Sequence, residues 1–388
     1  MSTSTELNSK LAKLLQGEVE NFFANNSLEK LSDEERQIVE LFRILPKDTQ
    51  AAFKNLLDNV AKKFPAPKPC GNYITRDDDD DSSTDDLPEI GTPLNDCTWE
   101  QISAVSKAGL GAKYFNIGDR KEITLNGKIG DCLKLDNEKL NVFILHFNYP
   151  LNGKPDNNII WGGFKTADGT DVALCDGKYD NYLTDGTICF NMNHRGQIDN
   201  SSGKGYYGTN YGGWKGCDLR YDILGATSQA PSQYNQLKST GNVGYDATAA
   251  TLTNPKPNTL LAALPADFRN ALRLWSRWID AKGNCSNDDA NIEETIDAVT
   301  LLTEFEIHGA RSYANEYEQN HQTQMDYFKN GNAKIKNNPA STTSSAVWWW
   351  CSSPPYTSSG NFCRVNTDGS ANGNNAHDAY GIAPAFMT

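Results

Sequence analysis

The side chains able to do chemistry are scattered in the first three quarters of the chain and gathered near its end. Cys351 and Cys363 could supply thiolates, the form of cysteine that attacks carbon or binds metal. No base and no third ligand stands near them at a recognisable spacing. Glu304 and Glu306, two apart, would share one face of a strand and could work as paired carboxylates. Paired with arginines instead, they would be structural. Asn284-Cys-Ser-Asn-Asp-Asp289 could hold a cation or simply cap and turn the chain. The five histidines, His146, His194, His308, His321 and His377, never fall four apart, so no helix-borne metal pair is expected. Nine cysteines without a C-x-x-C read as reduced, mostly buried thiols.

Gly203-Lys-Gly205-Tyr-Tyr-Gly208 matches G-x-G-x-x-G. The dinucleotide mechanism needs a strand before that motif and a helix after it. Asn200-Ser-Ser precedes it and Thr209-Asn-Tyr-Gly-Gly follows, so it reads as a glycine-rich loop. No P-loop, H-E-x-x-H or G-x-S-x-G is present. No cofactor, metal or catalytic residue is therefore expected.

The last 48 residues stand apart. They hold eight Ser, five Thr, five Asn and four Gly, no Lys, and one Arg, Arg364. Val347-Trp-Trp-Trp350 opens the stretch and Tyr380-Gly-Ile-Ala-Pro-Ala-Phe386 closes it. Apolar anchors at both ends predict ordered surface loops between them rather than a disordered tail. Ser, Asn and Tyr are also the adaptable contact residues of antibody paratopes.

Three amphipathic helices are expected over residues 1–64. Ser32-Asp-Glu-Glu35 supplies a capping box for the second, and Pro46 ends it. Stripes this short must pack on each other or on a partner, which makes a small bundle or an oligomerisation module. Residues 65–98 read as a Pro- and Asp-rich linker, with Asp77 to Asp81 in an unbroken run. Residues 99–388 form the body, long enough to bury a sizeable core. The spacing predicts a helix over 99–107 and strands over 122–125, 142–147, 159–164, 172–175 and 187–191. A helix is expected over 265–279, an alternating strand over 302–308 and a further helix over 313–329. Strands and helices mix without a βαβ rhythm, so the fold class expected is α+β.

The chain of 388 residues carries a net charge of −13. Nine acidic and two basic residues between 65 and 98 supply −7 of it. Nucleic acid is not an expected partner, because phosphate contacts need Lys and Arg. No run of about 18 apolar residues exists, so membrane insertion is not expected. The N-terminus lacks the basic and apolar regions of a signal peptide.

Trp349-Trp350, Ser353-Pro354, Phe362-Cys-Arg-Val-Asn-Thr-Asp-Gly-Ser-Ala371 and Tyr380-Gly-Ile-Ala-Pro-Ala-Phe386 together resemble an uncharacterised domain family of Firmicutes and their phages. The likeness extends upstream through Phe115–Gly127, Gly212-Gly-Trp214, Leu219-Arg220, Leu264-Pro265, Leu301–Gly309 and Met325-Asp-Tyr-Phe328, and covers about residues 99–388. It implies a C-type-lectin-like fold at the C-terminus, similar to the variable target proteins of diversity-generating retroelements. Trp349, Trp350, Gly381, Pro384 and Phe386 would then be framework. Within a variable-type face at 348–386, the implied contact positions are Trp348, Ser352, Tyr356, Ser358, Asn361, Arg364, Asn366, Asn372, Asn374, Asn375, His377, Asp378 and Tyr380. Two departures stand out. Cys351-Ser352 replaces the family's Leu-Arg before Ser-Pro, and the calcium motifs of sugar-binding lectins are absent.

Three functions follow as expectations. The first is a ligand-binding adhesin of a phage virion or bacterial cell surface, whose partner is a host-surface protein or glycan. Residues 1–64 would then join copies of the chain or dock on a virion. The second is a structural virion component without a ligand. The third is a lectin-fold oxidase using Cys351 and Cys363.

Overall fold

A computed structural model describes residues 93–180, 188–191, 209–231, 244–339 and 345–388. The expected helical module, nearly all of the linker, the Gly203–Gly208 loop and His194 lie outside these residues.

The first helix, α1 (Trp99–Lys107), matches its expected bounds. Thr98 and Gln101 close a capping box at its start, each side chain taking the other's backbone N–H. Its buried face is Trp99, Ile102 and Val105. Trp99 stacks on Phe268 at 4.2 Å and meets Trp161 edge-on at 5.2 Å.

Antiparallel strands dominate the rest. β1 (Arg120–Ile129), β2 (Leu133–Phe147) and β3 (Ile159–Lys165) form a meander. A two-stranded ribbon pairs β4 (Trp275–Asp280) with β5 (Ile292–Asp297). Next come the short β6 (Thr300–Leu301), β7 (Lys336–Asn337) and β8 (Ala346–Val347). β9 (Trp349–Trp350), β10 (Asn361–Val365) and β11 (Ala371–Asn375) make a three-stranded sheet in the order β11-β10-β9. The chain ends in β12 (Pro384–Met387), which inserts between β3 and β6 and completes a sheet ordered β1-β2-β3-β12-β6. Mixed helices and antiparallel sheets bear out the α+β class.

Strand alternation sorts side chains into two buried clusters, one on each face of the large sheet. Val142, Ile144, Trp161 and Phe386 enter one; Phe143, Leu145, Ile160, Ala385 and Met387 enter the other. The small sheet repeats the division. Trp350 and Phe362 join the first cluster, while Trp349, Cys363 and Val365 join the second. Consecutive tryptophans therefore serve opposite cores. Trp348, one residue earlier, is only half-buried.

Five expected elements take other forms. The helix foreseen over 265–279 stops early: α2 covers Ala266–Ala271, Leu272 is extended, and β4 follows. Phe268, Leu272, Trp275 and Ile279 do sit at helical spacing, but pairing with β5 overrides that local pattern. The alternating stretch 302–308 is a short helix, α3 (Glu304–His308), begun by a Thr303–Glu306 capping box and ended by Gly309 at φ 68°. Over 313–329 only a 3-10 turn (Glu316–Asn320) and a single helical turn (Asp326–Lys329) form. Residues 172–175 make isolated bridges instead of a strand, and no strand covers 188–191.

Among the described residues, no helix is long and apolar enough to cross a membrane.

Candidate ligand-binding site

The small sheet and the loop that follows it bring one group of expected contact residues together. Arg364 lies on β10, the central strand of the small sheet. It faces Trp350 of β9 on one side and Asn372 of β11 on the other. Its guanidinium carbon sits 4.3 Å from the Trp348 ring centroid and 5.0 Å from that of Tyr380. The two rings meet edge-on at 5.3 Å. Arg364 keeps only 9 % of its surface exposed, and its Nε and Nη1 are buried without a hydrogen-bond partner. Burial pulls the guanidinium below its ordinary pKa, while Tyr380, Tyr179, Asp378 and Asp180 act against that fall.

The rim of this group is a hydrogen-bonded chain. The Asn374 amide donates to the Tyr380 hydroxyl, and that hydroxyl donates to Asp378 Oδ2 at 3.3 Å. Asn375 Nδ2 lies 3.5 Å from the same oxygen, and His377 Nε2 lies 3.4 Å from Asp378 Oδ1. Both oxygens of Asp378 are therefore engaged, and Asp378 forms no ion pair with Arg364. Burial raises the Asp378 carboxyl and the Tyr380 phenol. Gly381 stands where the chain passes close to the core: a Cβ there would meet that of Ala173 at 2.8 Å.

Tyr179 completes the wall and was not foreseen. Its hydroxyl accepts the Trp348 backbone N–H at 2.9 Å, and its ring stacks on Trp348 at 6.4 Å. Burial pushes that phenol up to about 12. Nothing in the local sequence marks it, because its partners are some 170 residues away.

Seven expected contacts thus share one place: Trp348, Arg364, Asn374, Asn375, His377, Asp378 and Tyr380. Asn372 joins them by register. The others lie elsewhere. Ser352 is a correction, because it is fully buried: its backbone N–H is tied to Leu302 and its hydroxyl has no partner. No ligand can touch it without opening the core. Tyr356 lies under the Arg311 guanidinium at 4.6 Å. The carbonyls of Ser358 and Asn361 hold the amide of Asn210 at 2.7 and 3.0 Å. Asn366 sits in the β10–β11 turn and binds Ser370.

The acidic pair and the cysteines are buried among hydrogen-bonding partners and apolar neighbours. Glu306 forms a buried ion pair with Arg277 and accepts from Tyr149 at 2.8 Å. Glu304 takes the backbone N–H groups of Ser312, Tyr313 and Ala314. Cys351 and Cys363 are buried opposite each other, and burial together with nearby glutamates raises both thiols well above the ordinary value. Thiols held protonated are poor nucleophiles. In the 284–289 cluster, Asp288 caps the turn at Ala290. Among the described residues no group of three His, Cys, Asp or Glu converges as metal ligands would.

Residues 204–388 match a family model described as a domain of unknown function (DUF6273). That span holds the whole Trp348–Arg364–Tyr380 group and leaves Tyr179 outside. No curated protein and no solved structure matches the chain.

Proposed function

We propose that this chain is a ligand-binding protein whose C-terminal body is C-type-lectin-like and turns the Trp348–Arg364–Tyr380 face toward a host-surface ligand. The carrying observation is Arg364. A guanidinium nine-tenths buried between two rings, with two nitrogens lacking acceptors, is costly unless something pairs with it. Buried Trp349, Trp350, Pro384 and Phe386 and the polar, partly exposed Asn372, Asn374 and Asn375 support the same reading. So does the resemblance to variable proteins of retroelements and phages.

In this reading the protein acts on a phage virion or a bacterial surface. Residues 1–64 dock or oligomerise it, and the acidic linker gives reach. Several linked copies would strengthen weak single contacts.

Close relatives should differ most at Trp348, Arg364, Asn372, Asn374, Asn375, His377, Asp378 and Tyr380, and least at the framework positions. Sequencing the corresponding gene segments tests this directly. Substitutions spread evenly over residues 99–388 would sink diversification. Failure of the full chain to bind host cells or arrayed glycans would sink ligand binding.

A further inference from the structure

We propose that Lys336 and Asp171 condense into an amide, a covalent bridge between β7 and the segment that follows β3. The inference is independent of the ligand-binding reading above.

Two lysines share one carboxylate in the second core. Lys165 Nζ donates to Asp171 Oδ2 at 2.6 Å, and Lys336 Nζ lies 3.4 Å from Asp171 Oδ1. The side chains of Lys165, Lys336 and Asp171 keep 9 %, 3 % and 12 % of their surface exposed. Among the described residues no second carboxylate pairs with either lysine. Two ammonium groups would therefore leave one buried positive charge uncompensated, which is costly. Burial pulls the Lys336 ammonium below its ordinary pKa, Asp171 opposes the fall and Lys165 adds to it. Shedding that proton turns Lys336 into a neutral amine, the nucleophilic form of lysine.

The carboxylate is held ready for such an amine. The Tyr327 hydroxyl also donates to Oδ2, at 3.2 Å, so both proton donors sit on one oxygen while Oδ1 faces Lys336. Lys165 Nζ donates to the Tyr327 hydroxyl at 2.8 Å and holds the two donors together. Aromatic rings wall off the group: Lys165 Nζ is 4.7 Å from the Phe143 centroid, and Lys336 Nζ is 5.3 Å from that of Trp349. The backbone sets the register. The Asn337 N–H donates to the Asp171 carbonyl at 2.8 Å, and the Ala173 N–H donates to the Asn337 carbonyl at 3.0 Å. Groups fixed side by side in this way react as one molecule rather than two.

The step balances without an oxidant or a co-reactant. Lys336 Nζ bonds to Asp171 Cγ, and the Cγ–Oδ2 bond breaks. One proton from the amine and one from the Lys165 ammonium leave with Oδ2 as water. The reacting carboxylate and ammonium cancel in charge, and the products, an amide and the Lys165 amine, carry none. A small cavity lined by Lys336, Phe143, Trp349 and Pro384 has room for the departing water. The bridge would close a long loop of chain and so remove entropy from the unfolded state.

The test weighs the unaltered full chain, denatured and reduced, by intact-mass spectrometry. Its mass should fall below the sequence mass by one water. Digestion should release a branched peptide that joins the segments around Asp171 and Lys336. Lys336→Arg keeps the charge but offers no amine, and should show the full sequence mass and a lower melting temperature. Lys165→Met removes a proton donor and should leave most chains unbridged. Full sequence mass in the unaltered folded chain overturns the proposal. So does a water loss that maps to Lys165 or to an Asp-Gly pair, or one that survives in Lys336→Arg. The mass of the unaltered chain decides the matter even if a variant misfolds.

Discussion

The guanidinium of Arg364 lies 4.3 Å from the ring centroid of Trp348, while the next two tryptophans are sealed in separate cores. Trp348 is thus the one member of the triplet free to work at the surface, and its measurable task is to cover a charge. A cation–π contact of this partly desolvated kind contributes about 1–2 kcal/mol. Trp348→Ala should lower unfolding stability by about that amount in urea titrations. Trp348→Phe should recover part of the loss. Trp350→Ala, by contrast, empties a core site and should cost about 3–5 kcal/mol. Equal losses at both positions would contradict the division of labour.

Arg277 and Glu306 make the chief buried ion pair of the acidic region. Arg277 also donates to the Leu301 carbonyl at 2.9 Å, and Glu306 accepts the Thr303 N–H at 2.8 Å. Arg277→Ala should destabilise by about 3–5 kcal/mol, because it strands a buried carboxylate. The double replacement Arg277→Met with Glu306→Leu should lose less than the single one. Denaturant melts of the three proteins check this, and strict additivity would refute it.

Glu318 has a built-in pH response. It is buried, takes the Asp280 N–H at 3.0 Å and the Ser353 hydroxyl at 2.6 Å, and burial lifts its carboxyl from 4.5 to about 8. Between those values the folded chain holds a proton that the unfolded chain has lost. Its contribution is therefore complete below 4.5 and drains away as pH climbs to about 8. Glu318→Gln should flatten the fall in stability across that window, by up to about 1.4 kcal/mol per pH unit. Thermal melts at intervals from pH 5 to 8 would show it. An unchanged slope would mean that Glu318 is already ionised in the folded protein. Asp280, raised by burial in the same way, should leave a residual slope of the same sign.

The thiols should divide by burial. Cys285 is exposed, whereas Cys97, Cys175, Cys189, Cys217, Cys351 and Cys363 are buried. Among the described thiols, iodoacetamide at pH 8 should modify Cys285 first in the native protein. Cys351 and Cys363 should react only after denaturation. Mass spectrometry of labelled peptides reads the order. Rapid native labelling of Cys351 or Cys363 would revive a role for their thiolates.

Parts of this molecule were legible locally. The α1 helix appears within its expected bounds because Thr98, Gln101 and the Trp99–Ile102–Val105 stripe are all short-range signals. The cores of β1, β2 and β3 likewise follow from dense β-branched and aromatic runs. The apolar anchors around residues 347 and 386 predicted order, and both are buried strands. Other segments misled for a physical reason. Trp275 and Ile279 fit a helical stripe, yet the hydrogen bonds offered by β5 decide their conformation. Leu302 to His308 alternates like a strand, but Thr303 and Glu306 cap each other and start a helix.

The sequence by itself determined which residue types populate the C-terminal face, and that two apolar anchors bracket them. Tertiary structure decided which of those residues act together. Ser352 and Arg364 look equally polar in the sequence. One is sealed beneath the Leu302 carbonyl, and the other is lifted between Trp348 and Tyr380. Tyr179 entered the site from a distant loop. As neighbours in β9, Trp349 and Trp350 point to opposite faces. Only the packing of β12 into the middle of the large sheet fixed where each would go, because burial is set by partners far away in the chain.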